Sequence, residues 1–165
     1  MRAEAPKGLR VQFTKRIDGK VVLCCTRDDN STTWQRHDKH GAFYAFHDLS
    51  HFAVETVLGL RQGFYGLLAD GWDITDTTGK GARGKIPDAS ILVEHIVGLF
   101  QQERSGGSAP LAAAEFNALL EQMIGRPLSP LFTDAQLTAT RKRIVDLHRQ
   151  WLATPPGCSL DLVFV

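Results

Sequence analysis

The chain of 165 residues predicts an α+β fold in a single domain (1–165), with strands at both ends and about five helices between them. Apolar residues alternate with polar ones at Leu9, Val11 and Phe13, and again in the segment 159–165. This period of two is typical of half-buried strands. The long segment between the two ends shows helical periodicity instead. We therefore expect the N-terminal strands and the C-terminal strand to share one antiparallel sheet.

The N-terminal strands are expected to form an antiparallel β-meander. Asp18-Gly19 is a hairpin signal that separates the first strand from a return strand over 20–26. A polar loop follows, and then a short third strand over 32–36. Because the C-terminal segment also alternates, we expect it to pair with this meander.

Capping residues define the predicted helices. Gly59 and Gly71 end the first two, Asp88 and Thr133 are N-caps, and Pro110 suits a first helical position. The predicted helices span residues 43–58, 61–70, 89–103, 110–124 and 134–152.

The segment 73–87 is predicted to be a flexible surface loop, because it is rich in Thr, Asp and Gly. Within it, residues 79–85 match the spacing of a phosphate-binding loop, but Ile86 stands where such a loop has the hydroxyl that holds magnesium. No apolar strand precedes it either. We therefore interpret the segment as a basic loop, and contact with an acidic ligand or partner stays open as its role.

The overall charge limits the classes of partner. Nineteen basic and eighteen acidic residues leave a formal charge of +1, which argues against a large basic face and hence against nucleic acid as a partner. No stretch approaches the roughly 18 apolar residues of a membrane span, and no signal-peptide core is found. We therefore expect a cytoplasmic protein that has no membrane partner and takes a small-molecule ligand.

The stretch 47–55, His-Asp-Leu-Ser-His-Phe-Ala-Val-Glu, is the main candidate site. His47 and His51 lie one turn apart on one face of the predicted helix, so they can share a divalent cation. Asp48 lies about 100° around the helix axis from His47. Glu55 lies about 12 Å along the axis from His47, too far to be an easy third ligand.

A third ligand would come more naturally from another part of the chain. Glu94 and His95, on the helix after the loop, are the best candidates, followed by His37 and His40. We predict a divalent metal, zinc ahead of iron or manganese, bound by the histidine pair with Asp48 or Glu94 as the third ligand.

Two functions follow from this cluster. The first is metal-dependent hydrolysis or a related Lewis-acid reaction, with Glu55 or Asp48 as the general base. The second is a non-catalytic binding or structural module, in which His47, Asp48, His51 and Glu55 form a hydrogen-bond network that joins the helix to the sheet.

The motif His47-Asp48-x-x-His51 resembles the core of the zinc motif in the ubiquinone-biosynthesis family that acts on the quinone head-group precursor. The resemblance implies a zinc site on a helix. That family has a glutamate further along the chain, at a place that falls on Gly63 here. Glu55 is the only nearby substitute for it.

The His-Asp pair also resembles the dyad of the HD phosphohydrolases. This resemblance implies a further histidine, which would be His37 or His40, and a downstream aspartate, which would be Asp134 or Asp146. Both families are all-helical, whereas the upstream chain here is predicted to be β structure. The stretch 47–71 also resembles an uncharacterised bacterial domain, which implies no activity.

Overall fold

A computed structural model describes residues 7–107 and 109–165. Its strands are Leu9–Lys15 (β1), Val21–Arg27 (β2), Thr32–His37 (β3) and Ser159–Phe164 (β4). Its helices are Gly41–Leu58 (α1), Phe64–Ala69 (α2), Asp88–Ser105 (α3), Ala113–Ile124 (α4) and Asp134–Ala153 (α5), with a 3-10 helix at Ile74–Thr78. The predicted α+β class is confirmed. Within the two described ranges, no helix has both the length and the apolar character needed to cross a bilayer.

The four strands form one antiparallel sheet in the order β3-β2-β1-β4. β4 pairs with β1, which places Phe164 opposite Leu9 and confirms that the C-terminal strand joins the N-terminal meander. The inward-facing residues of β1, such as Phe13, are fully buried, whereas Trp34 and Val163 are 60% and 63% exposed. The helices therefore cover one face of the sheet and leave the other open.

α1 is the central helix. Every residue from Asp48 to Glu55 is buried, because the helix packs against α2, α3 and α5 as well as the sheet. A helix enclosed on all sides buries its polar residues together with its apolar ones. The polar side chains in this stretch must therefore find hydrogen-bond partners within the protein.

α4 begins at Ala113, so the start predicted at Pro110 is wrong. The backbone N–H of Ala113 donates to Oδ1 of Asp134 at 2.7 Å, and that carboxylate caps the first turn from the neighbouring helix. The N–H of Leu111 donates instead to Oε1 of Glu103 at 3.0 Å. These two contacts hold the chain before Ala113 in a non-helical path.

The segment 73–87 contains the 3-10 helix Ile74–Thr78. Ile74 is 2% exposed and belongs to the main hydrophobic core. Further along, the guanidinium of Arg83 lies 5.0 Å from the centroid of the Trp72 ring. Part of the segment thus packs against the body of the protein.

His148 of α5 joins α1 and α3. Its Nδ1 accepts a hydrogen bond from NH1 of Arg104, and because arginine only donates, the ring proton lies on Nε2. Nε2 donates to the carbonyl oxygen of Phe46 at 3.1 Å. Burial, together with the charge of Arg104, lowers the pKa of His148 to about 4.

We expect this buried neutral histidine to make the fold sensitive to acid. Since the pKa of His148 is about 4 in the folded chain and 6.5 unperturbed, its contribution is complete above pH 6.5 and is lost as the pH falls towards 4. At pH 5 the loss should be about 1–2 kcal/mol after allowance for solvent screening. Urea unfolding at pH 7.5 and pH 5 measures it, with His148→Gln as the comparison. An equal loss of stability in both proteins would contradict this assignment.

Candidate metal centre

A histidine pair on α1 and a carboxylate on α3 form the candidate site. The ring centroids of His47 and His51 are 4.8 Å apart. α3 packs against α1 and brings Glu94 to the pair. One ring nitrogen of each histidine and one carboxylate oxygen of Glu94 lie within 4.8 Å of one another. The structure therefore brings together His47, His51 and Glu94 from among the predicted ligands, and leaves Asp48 outside the group.

His51 is the most enclosed member, with 2% of its surface exposed. Its Nδ1 lies 3.3 Å from Oε1 of Glu55, and its Nε2 lies 3.3 Å from Oε2 of Glu94. Burial alone would lower the pKa of His51, but the two carboxylates outweigh burial and raise it to about 10. At neutral pH the imidazolium therefore donates to both carboxylates.

Glu55 anchors the start of α2 as well as His51. It is 1% exposed, and its Oε2 accepts hydrogen bonds from the backbone N–H groups of Tyr65 at 2.9 Å and Gly66 at 3.2 Å. Burial raises the pKa of Glu55, although His51 and the two N–H groups act in the opposite direction. Because both carboxylate oxygens are engaged, the geometry favours a positioning role for Glu55 over its expected role as general base.

Gly63 provides the room for this carboxylate. A Cβ atom on Gly63 would lie 2.4 Å from Cδ and 2.6 Å from Oε1 of Glu55. Gly63 has φ −84°, a value open to any residue, so the lack of space is what requires glycine. The carboxylate of Glu55 thus occupies the space that a side chain at position 63 would need.

His47 is half-buried, and its Nδ1 lies 2.9 Å from Nε2 of Gln101 on α3. Burial and the charge of His51 lower the pKa of His47, which favours the neutral imidazole that a metal requires. If the Gln101 amide is flipped, its oxygen accepts a hydrogen bond from Nδ1–H of His47. Nε2 of His47 is then free to bind a cation. Gln101 was not predicted as part of the site, although it lies two helical turns after Glu94 and so on the same face of α3.

Glu94 opens the group to solvent, because 49% of its side chain is exposed. Partial burial would raise the pKa of Glu94, but the hydrogen bond from His51 and the nearby imidazole charges lower it overall. Glu94 is therefore ionised at neutral pH and can serve as an oxygen ligand.

Asp48 faces a different partner. Its Oδ2 lies 3.7 Å from Nε2 of His37, a buried nitrogen that has no hydrogen-bond partner among the residues described. The ring of His37 stacks on Tyr44 with centroids 4.3 Å apart. His37 is therefore engaged with Asp48 and Tyr44, outside the group of three.

The two remaining candidate histidines also lie elsewhere. His40 is exposed and precedes α1 in a left-handed conformation, with φ 55°. His95 lines a groove against α4 together with Leu92 and Met123, on another face of α3. Of the third ligands considered from the sequence, Glu94 alone joins the histidine pair among the described residues.

The group can fit a tetrahedral cation after a small adjustment. Ligand atoms bound to zinc at about 2.1 Å stand about 3.4 Å apart. The distance of 3.3 Å between Nε2 of His51 and Oε2 of Glu94 already matches this value. Any wider pair involves His47 and, up to the limit of 4.8 Å, must close by about 1.4 Å; the half-buried His47 and the half-exposed Glu94 are the two members with room to move.

Comparisons with models of protein families, with curated proteins and with solved structures found no match for this chain. The two motif resemblances therefore stay predictions, and the functional interpretation depends on the geometry of the site.

Proposed function

We propose that the protein binds a divalent cation, zinc ahead of iron or manganese, through His47, His51 and Glu94, and uses it in hydrolysis. The observation that carries this proposal is the convergence of three ligand atoms within 4.8 Å. His51 adds a carboxylate partner, Glu55, on its other ring nitrogen. Such a carboxylate–histidine pair is typical of metal ligands, because it fixes the tautomer and directs Nε2 towards the cation.

The composition of the ligand set favours a catalytic site over a structural one. Catalytic zinc sites use three protein ligands, often histidine and glutamate, and keep a fourth position for water or substrate. The exposed half of the Glu94 side chain marks the side from which a small-molecule substrate would enter. A cation bound here would supply Lewis acidity and lower the pKa of a bound water.

The residues around the group position the two histidine ligands and supply the candidate general base. Glu55 holds His51 in position, and Gln101 does the same for His47. Asp48 stays the predicted general base, since the described chain donates no hydrogen bond to its carboxylate within 3.5 Å; because it faces His37 at 3.7 Å and lies outside the group of three, this role requires a water or substrate to lie between it and the cation.

Removal of either accessible ligand should abolish stoichiometric zinc binding. We expect one zinc per wild-type chain, and an affinity about 100-fold lower or worse in His47→Ala and Glu94→Gln, beyond the 10–100-fold typical of outer-shell changes. Affinity should rise with pH, because zinc displaces the Nε2 proton of His51. Inductively coupled plasma mass spectrometry and calorimetric titration measure both effects.

His95→Ala is the matched control, since His95 lies on the same helix but outside the group. It should bind zinc like the wild type. Failure of the wild-type protein to bind zinc, iron or manganese after reconstitution would overturn the proposal. An equal loss of affinity in His95→Ala would show that zinc binds elsewhere.

The alternative is a structural network without metal, and one observation favours it: His51 by itself bridges two carboxylates, Glu55 and Glu94. Because His51 is 2% exposed, its replacement should destabilise the fold under either proposal and does not separate them. Glu94→Gln does. In the metal proposal this change removes zinc and alters zinc-free stability by less than about 1 kcal/mol, whereas in the alternative there is no zinc to lose.

A further inference from the structure

A cavity of about 380 Å³ opens between α1, α3 and α5, beside the metal group. Phe43 and Phe46 form its apolar wall, while Gln101, Gln102 and Arg104 supply polar groups. Its volume lies at the lower end of the range for small-molecule sites, ~300–1,000 Å³. Among the residues described, no acidic side chain lines it.

Arg104 has no acidic partner in the part of the chain that the structure describes. The adjacent carboxylate, Glu103, is taken by Arg141 at 2.7 Å. NH1 of Arg104 donates to Nδ1 of His148, which fixes one end of the guanidinium at the cavity. The rest of the guanidinium presents N–H donors in a planar fork, and a carboxylate matches such a fork with two parallel hydrogen bonds.

The aromatic wall indicates that the ligand has an apolar body. Phe43 is 63% exposed, although it borders a concave surface. Phe46 is half-buried and its ring centroid lies 4.6 Å from that of His148. A large exposed ring at the edge of a cavity is typical of a binding surface, because a ligand that covers it removes apolar area from water.

Ser50 and His148 resemble a nucleophile and its base, but their hydrogen bonds exclude that role. Nε2 of His148 carries the ring proton, because Nδ1 accepts from Arg104. The Ser50 hydroxyl donates to the carbonyl oxygen of Phe46 at 2.8 Å, and Nε2–H donates to the same oxygen at 3.1 Å. His148 therefore cannot take the Ser50 proton, and the cavity is suited to binding alone.

We propose that this cavity binds a small monocarboxylate with an apolar body, such as a medium-chain acyl or aryl acid. The carboxylate pairs with the free part of the Arg104 fork, and the apolar body covers Phe43 and Phe46. One guanidinium among neutral amides matches a single negative charge. Binding does not depend on the metal, although Gln101, which contacts His47, places the ligand next to the metal group.

Calorimetric titration of the zinc-free 165-residue protein with octanoate tests this proposal, with octanamide as the neutral isostere and octyl phosphate as a second anion. Octanoate should bind about tenfold or more tightly than octanamide, because the amide cannot form the charge-assisted pair. Octyl phosphate should bind no more tightly than octanoate. Equal binding of octanoate and octanamide, tighter binding of octyl phosphate, or no octanoate binding at low millimolar concentration would overturn the proposal.

Variants locate the site. Arg104→Gln should weaken octanoate binding about tenfold, and Phe43→Ala about fivefold. The matched controls Arg10→Gln and Trp34→Ala change exposed residues on the open face of the sheet and should leave binding unchanged. If Arg104→Gln disturbs His148 and the fold, Phe43→Ala still tests the position of the binding site. Phe43 is 63% exposed, so its replacement leaves the fold intact. If Arg10→Gln weakened octanoate binding as much as Arg104→Gln, or Trp34→Ala as much as Phe43→Ala, the assignment of the site would be overturned.

Discussion

Replacing Glu55 with alanine is expected to lower the free energy of unfolding of the zinc-free protein by about 3–5 kcal/mol. Glu55 is 1% exposed and accepts hydrogen bonds from the N–H groups of Tyr65 and Gly66 and from His51. Its removal leaves all three donors buried without an acceptor, which is far more costly than the loss of an exposed ion pair. Urea unfolding followed by circular dichroism measures the change.

Two further variants test the explanation. Glu94→Gln removes the other carboxylate bound to His51, but 49% of that side chain is exposed, so the cost should stay below about 1 kcal/mol. Glu55→Gln keeps one carbonyl acceptor for the backbone of α2 and should lie between the two, at about 1–3 kcal/mol. Equal costs for Glu55→Ala and Glu94→Gln would contradict the view that Glu55 anchors α2.

Features of the fold that depend on adjacent residues could be predicted from the sequence. Thr133 was predicted as the N-cap of α5 from its residue type alone, and the structure confirms it, with a local capping box that joins Thr133 to Gln136. The start of α4 could not be predicted in this way. Ala113 is capped by Asp134, which belongs to another helix, so the true start depends on tertiary packing.

The same distinction applies to the site. The spacing of His47 and His51 predicted their shared face, since helix geometry alone determines it. The choice of Glu94 over His95 depends on how α3 is rotated against α1, and a single sequence does not encode that rotation locally. The partner of Glu55 could not be predicted for a related reason: the network expected from the sequence joins this residue to the sheet, whereas its carboxylate accepts from the backbone of α2. α2 reaches Glu55 only because the folded α1 is enclosed by α2, α3, α5 and the sheet, and this packing is tertiary.

Gly63→Ala is expected to destabilise the zinc-free protein by about 2–3 kcal/mol. The new Cβ would lie 2.4 Å from Cδ of Glu55, whose carboxylate cannot move freely while it holds the N–H groups of Tyr65 and Gly66. Gly98→Ala on α3 is the matched control, because no atom lies within 4 Å of its Cβ position. That change should stabilise the protein by about 0.5–1 kcal/mol through helix propensity.

The double variant Glu55→Ala/Gly63→Ala isolates the contact between the two positions. Once the Glu55 carboxylate is gone, the methyl group added at position 63 enters the space that the carboxylate occupied. The double variant should therefore be no less stable than Glu55→Ala alone, which corresponds to a coupling energy of about 2–3 kcal/mol, the whole cost of Gly63→Ala. Additive costs would show that Gly63 is required for some other reason. A clear coupling would mean that the carboxylate from α1 is what excludes a side chain at position 63.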